Sequence, residues 1–280
     1  SNSGSGGLIN LSGANTYTGA TTIGNGTHLK VNGSIASSSS LSVTSGSVIS
    51  GIGYYPSTML TTGASISPGN SIGTQNFTNL NLNGGSLDIE IQGPQNDKIS
   101  VSGNVTNFTG LANIIPYGGG TLWPNFNYSI ISAPSSTDFA TSNSLTLNST
   151  GITSVILNRG ATLTQENDGD PKTFDIKFTP KNGSGVTASA LEYLGQPSSS
   201  AAVFDKAFNS LATQAENNSN NTGSFIGNTG FTTGQIAAAG ISEDFFTSLN
   251  NLLALTNDND LVNSINSMSP ESYSAFQSVG

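Results

Sequence analysis

Between Leu41 and Ile91 the apolar residues come in short alternating runs. The text reads LSVTSGSVISGIG, then LTTGASISPGNSIGTQNFTNL, then NLNGGSLDIEIQ, each run cut by Gly, Asn, Ser or Pro. A period of two sends successive side chains to opposite faces of a strand, so each run predicts a strand with one inward row. Leu41, Leu60 and Leu80 recur at intervals of 19 and 20 residues, and Val48, Ile66 and Leu87 at 18 and 21. Self-similarity at that period is what a chain needs if every unit buries its inward row only against the units above and below. The pattern predicts a mostly β protein built as a right-handed parallel β-helix, a solenoid with one coil per unit.

Coils are expected over residues 8–91, after a flexible lead-in at 1–7. Thr21 to Ile23 and Leu29 to Val31 read as strands. Gly24 to Gly26 and Asn32 to Gly33 read as turns that need positive φ. Beyond Ile91 the unit length becomes irregular. Strands are expected at Lys98–Val101, Leu111–Ile115, Tyr128–Ser132, Leu145–Leu147, Ser154–Leu157 and Phe174–Phe178. Trp123, Phe126, Tyr128, Phe139, Phe174 and Phe178 gather in this part, where a solenoid must cover its last open edge. Residues 92–180 therefore read as an irregular aromatic C-terminal cap. The inward residues Leu87, Ile89 and Ile91, the cap residues Trp123, Phe126 and Tyr128, and then Ile130, Phe174 and Phe178, are the candidate folding nucleus.

After a linker at 181–186 the period changes to helical. Phe204, Phe208, Leu211 and Ala215 share a face, with Ser198 to Ser200 offering an N-cap. The run NNSNNTG from Asn217 to Gly223 interrupts this pattern. Ile241, Phe245, Leu249, Leu252 and Leu253 share a second face, followed by Leu261, Ile265 and Met268. A last short helix is expected at SPESYSAF, with Ser269 as cap and Pro270 at the first helical position. Residues 187–280 thus form an α-helical segment, whose apolar faces pack on one another or on a neighbouring body.

Only 34% of the chain is hydrophobic and 8% charged. That suffices for stacked coils, whose inward rows are narrow, while turns absorb the polar remainder. The net charge of -9 repels phosphate backbones, which excludes nucleic acid as a partner. The sequence shows no apolar run long enough to span a membrane as a helix and no signal peptide, and is expected to be a fragment of something longer. Cysteine is absent, which excludes disulfides and thiolate metal sites.

Specific phrases add a resemblance. LSGANTYTGATTIGNGTHLKVNGSI resembles the passenger-associated transport repeat of bacterial autotransporters, and GASISPGNSIGT followed by NLNLNGGSLDIEI resembles the segment that follows it there. The likeness covers about residues 8–180, and SMSPESYSAFQSVG resembles the segment just upstream of that family's β-barrel. It implies a type V secretion passenger displayed at the cell surface or secreted, through the periplasm and outer membrane of a Gram-negative bacterium. The cap would then be an autochaperone that emerges first and templates the other coils. The implied partner is the protein's own C-terminal β-barrel translocator, whose strands are not recognisable after Gly280. A surface adhesin that binds host glycan or protein through its outer face is the second reading, and a carbohydrate-active β-helix enzyme is a minor third.

Candidate chemistry is sparse. Asp88 and Glu90 in LDIEI point to one outer face and could in principle do acid and base work on a sugar, but no other acid is placed to join them, so they read as a solvated strand face. ENDGD, Glu166 to Asp170, lacks the full calcium loop and reads as a turn. His28, the single histidine, reads as solvent-facing. Gly118 to Gly120 lacks the Lys-Ser/Thr of a phosphate loop and reads as a turn. No catalytic, metal or cofactor residues are assigned. A sustained heptad pattern is absent, which argues against a trimeric stalk; a monomer is the expected state, with a weak dimer left open.

Overall fold

A computed structural model describes residues 6–24, 26–133, 145–166, 172–183, 185–217 and 229–268. It is sheet-rich, with most strands parallel, followed by helices. The first sheet carries, in spatial order, Leu8–Leu11, His28–Val31, Val48–Gly51, Ser65–Pro68, Gly85–Gln92, Gly110–Pro116 and Leu145–Asn148, all parallel. The second carries Thr21–Ile23, Leu41–Val43, Thr58–Leu60, Leu80–Asn81 and Val105–Thr106, also parallel. The third begins with parallel Tyr54–Tyr55, Thr74–Phe77, Lys98–Val101 and Tyr128–Ser132 and ends with antiparallel Thr173–Pro180 and Ala161–Glu166. From Val48 to Gly110 the chain visits first, third and second sheet in rotation, and from Thr58 onward each strand except the short Gln95–Asn96 pairs with the strand laid down one circuit earlier.

That rotation places like residues in rows. Leu29, Ile49, Ile66, Leu87 and Ala112 are register partners across the first sheet, and all are buried. Tyr55, Phe77 and Val101 form the equivalent row in the third sheet, with the Tyr55 and Phe77 rings stacked at 5.0 Å. Each parallel step therefore satisfies backbone hydrogen bonds and buries an apolar column in one move.

The columns differ from those read off a constant period. Leu41 pairs with Thr58, and Leu60 pairs with Val43, so Leu41, Leu60 and Leu80 do not form one row. Val48 is half-buried opposite Ser65, while Ile49 sits in the inward row. The cause is an uneven spacing of register partners along the chain: the step from Ile49 to Ile66 is 17 residues, from Ile66 to Leu87 21 and from Leu87 to Ala112 25. Gly33 also differs from expectation. It is not in the left-handed region; rather, a Cβ there would lie 2.1 Å from the Gly13 carbonyl oxygen of the preceding circuit. Gly26, by contrast, has the expected positive φ of 76°.

The expected strand at Ser154–Leu157 is a helix, α1, Val155–Gly160. Val155, Ile156 and Leu157 are buried, the helix packing against α2, Val186–Tyr193, and the Val155 N–H donates to the Leu255 carbonyl at 2.8 Å. Gly160 permits this packing, since a Cβ there would lie 1.9 Å from the Val186 oxygen. Then come α3, Ala202–Glu216, α4, Thr233–Ala238, α5, Glu243–Ala254, and α6, Asp258–Ser267. The expected helical faces are buried at Phe204, Phe208, Leu211, Phe245, Leu249, Leu252, Leu253, Leu261 and Ile265. No Ser198–Ser200 side chain caps α3, whose N-cap residue is Ala201. The proposed helix from Ser269 lies outside the described residues, as do Phe139 and Asn218 to Gly223.

The register makes a direct test. Ile49→Ala should cost about 2–5 kcal/mol in urea unfolding, as a fully buried large-to-small change does, and Val48→Ala about 1 kcal/mol or less. Equal costs would contradict the register.

Candidate functional site

The candidate site is the closed end of the stack, where strand and helix aromatics meet. Asn125 adopts positive φ, 66°, in the turn between Trp123 and Tyr128, and its N–H donates to the Phe178 carbonyl at 3.0 Å. This turn brings Trp123 under the helices. The indole is fully buried, stacked on Phe246 of α5 at 5.3 Å and 8°, and edge-on to Phe208 of α3 at 5.5 Å and to Phe231, just before α4, at 5.0 Å. Phe231 in turn meets Phe126 at 5.5 Å and Phe246 at 5.4 Å. The indole Nε1 has no hydrogen-bond partner among the described residues, so the ring is held by packing alone.

Tyr128 locks the turn. Its hydroxyl accepts from the Trp123 N–H at 3.0 Å and lies 3.0 Å from the Gly93 carbonyl, to which it donates. Burial pushes this phenol far above its ordinary value, so it stays protonated. Polar bridges surround the aromatic centre. Thr121 Oγ1 lies 2.6 Å from Asn250 Oδ1, Asn125 Nδ2 donates to Asn209 Oδ1 at 2.7 Å, and the Asn127 N–H donates to Glu216 Oε1 at 3.2 Å. Arg159 pairs with Asp258 at 3.1 Å on the exposed side of the same junction.

Among the helices, α2 begins at Gly185 with no capping side chain of its own. Its orphan N–H groups at Thr187 and Ala188 donate instead to the Asp205 carboxylate of α3, at 2.8 and 3.0 Å. Burial raises the Asp205 carboxyl above its ordinary range, with those same bonds pulling the other way. Gly185 must be glycine twice over: φ is 139°, and a Cβ would lie 2.1 Å from Asp205 Oδ2.

All nine candidate nucleus residues are buried. Leu87, Ile89 and Ile91 face the interior from the eight-residue strand Gly85–Gln92, whose burial alternates without a break. Phe126 and Tyr128 join the Trp123 cluster, while Ile130 and Phe178 lie in the same continuous core. Phe174 packs edge-on against Phe108 at 5.0 Å, away from Trp123. Sequence reasoning missed the partners of Trp123, because Phe208, Phe231 and Phe246 lie more than eighty residues along the chain, Phe208 and Phe246 carry only an ordinary helical signal and Phe231 lies outside any helix.

Of the possible chemistry, Asp88 and Glu90 do share the outer, half-buried side of Gly85–Gln92. Asp88 Oδ1 accepts from Asn113 Nδ2 at 2.7 Å, and Asn113 Oδ1 accepts from Asn148 Nδ2 at 2.8 Å, so Asp88 is a rung in a polar ladder. A third acid was not anticipated. The Gly93-Pro94 turn folds Gln95–Asn96 back on the strand and buries Asp97, which accepts from the Glu90 N–H at 2.9 Å and from the Gly73 N–H at 2.8 Å. Burial pushes the Asp97 carboxyl up to about 7, aided by the charge of Glu90 and opposed by those two hydrogen bonds. His28 has a partner too: its Nε2 lies 2.6 Å from Ser50 Oγ on the next circuit, and burial, then the charge of Lys30, lowers its pKa. The Gly118–Gly120 run is a turn closed by the Gly120 N–H on the Tyr117 carbonyl. Of the run from Glu166, residues 167–170 lie outside the described set. Among the described residues, no group of three or more acids or histidines could hold a metal ion.

Compared with known proteins, the chain matches no family model and no curated protein.

Asp97 generates a pH dependence. A carboxyl whose folded pKa exceeds its unfolded value of about 3.9 binds its proton more tightly in the fold. Its stabilisation is therefore whole below about pH 4 and is lost as pH rises through about 7. The thermal midpoint should fall across that window, and Asp97→Asn should flatten the slope while costing about 1–3 kcal/mol through one unmade backbone bond. An unchanged slope in Asp97→Asn would refute the assignment.

Proposed function

We propose that this chain is the C-terminal part of an autotransporter passenger, a right-handed parallel β-helix whose closed end nucleates folding and supports secretion and surface display. The observation that carries this reading is the combination of rotating parallel strands with an end sealed around Trp123. An outer membrane has no nucleotide supply on its far side, so an emerging passenger needs a sink of free energy there. Stacking supplies one, since each circuit buries an apolar column on the one already formed. A template is needed for the first circuit, and the closed end provides a fixed edge without requiring a preceding coil. In this role the protein acts without catalysis, and its working partner is its own β-barrel translocator.

The reading includes the helices in the template. Phe208, Phe231 and Phe246 enclose Trp123, so closure of residues 92–180 depends on residues beyond 187. Display kinetics test this in the full protein carrying its barrel. Trp123→Ala, a change that typically costs about 3–5 kcal/mol, and Ile89→Asp should both delay appearance of the passenger at the cell surface. Asn76→Ala, on the outer face, should not. Unchanged display in both core variants would refute the proposal.

A further inference from the structure

A groove runs across the outer face of the second sheet, along the direction in which its strands are stacked. Its volume is about 530 Å³, within the range of small-molecule sites. One wall is the row Ser40, Ser57, Asn79 and Asn104, the residues just before each strand, and the other is Ser42, Met59, Asn81 and Thr106. Between them the floor is the backbone of Leu41, Thr58 and Leu80, whose side chains turn inward and are buried.

The two walls differ. The first is linked along its length: Asn79 Nδ2 donates to Ser57 Oγ at 2.8 Å, and the Asn104 N–H donates to Asn79 Oδ1 at 2.9 Å. In the second, Asn81 Oδ1 accepts from Asn107 Nδ2 at 3.2 Å, but the Asn81 amide N–H groups and the Ser42 and Thr106 hydroxyls make no hydrogen bond to any described residue. Met59, 41% exposed, interrupts them with an apolar surface. Around the next bend a smaller hollow of about 140 Å³ repeats the theme, with Asn76 and Ser100 in one register row beside the ring of Tyr54, which is 59% exposed. No charged residue lines either hollow.

We propose that this groove binds a neutral, linear oligosaccharide. The side chains of this wall succeed one another at the strand spacing of about 4.8 Å, free polar groups at Ser42, Asn81 and Thr106 with Met59 between the first two, which suits a ligand with a similar short repeat that offers both hydroxyls and apolar faces. Thioether and phenol surfaces suit the C–H faces of pyranose rings. The uncharged walls leave nothing to hold a phosphate, sulfate or carboxylate. An extended peptide would draw its affinity from an open strand edge, whereas the strands of the floor are hydrogen-bonded on both sides. This inference goes beyond the folding role and does not depend on it.

The test uses the full chain and a panel of neutral hexasaccharides, cellohexaose, mannohexaose, xylohexaose and chitohexaose, with a sulfated hexasaccharide as the charged arm. Two-dimensional NMR should show saturable shifts of the Asn76, Asn79 and Asn81 side-chain amides with at least one neutral member. Asn81→Ala and Met59→Ala should each weaken that binding about tenfold, the loss of one good contact, without moving the thermal midpoint. The proposal is overturned by no shift at millimolar sugar, by shifts confined to residues outside the groove, by tighter binding of the sulfated sugar, or by unaltered affinity in both variants.

Discussion

The packing of Trp123 between strand-turn and helix is the contact on which the remaining architecture depends. A pile of parallel strands has no natural end: its last member presents unpaired backbone groups and an uncovered apolar row. Here the last circuits lengthen, and the chain doubles back in antiparallel strands, Thr173–Pro180 and Ala161–Glu166, which close the third sheet. The space beside the final turn is filled by one indole and three phenylalanine rings, two of them from α3 and α5 and the third, Phe231, from the segment just before α4. Aromatic rings suit this place because they bury a large area with few rotatable bonds and tolerate edge-on contacts where layers of different geometry meet.

Elsewhere the stack is held by repetition. Apolar columns run inside and polar ladders outside, the latter illustrated by Asn148 to Asn113 to Asp88 and by Asn79 to Ser57. Such ladders give a chain with so few charges a polar, hydrogen-bonded exterior. Asp97 and Asp205 follow a different rule. Each is a buried carboxylate that satisfies backbone N–H groups which no local residue reaches, joining Gly73 to Glu90 in one case and capping α2 from α3 in the other. Burying these groups is unfavourable to their charged forms, yet leaving the N–H groups unpaired would also be costly.

Much of the strand content was legible because alternation is local: Thr21–Ile23, Lys98–Val101, Tyr128–Ser132 and Gly85–Gln92 follow from their own residues. Register was not, because it depends on turn lengths that vary from circuit to circuit, and a two-residue shift left Leu41 matched to Leu60 when Thr58 is its partner. The same locality limit misassigned Val155 to Leu157. β-Branched residues there signal a strand, but the surrounding space is bounded by helices. Of the site, the aromatic members on the strand side were identifiable from their clustering, whereas Phe231 and Phe246 were not. The role of Asp97 was hidden in the same way, since its acceptor function exists only once Gly73 has been brought beside it.

The most direct measurement exploits the single tryptophan. Denaturant unfolding of the full chain followed by Trp123 emission reports the aromatic centre, and circular dichroism at 222 nm reports the helices. If both belong to one closing unit, the two transitions share a midpoint and slope. Loss of the helical signal at lower denaturant, with Trp123 emission still that of a buried ring, would show that the helices are an appendage and that the end of the stack is sealed without them.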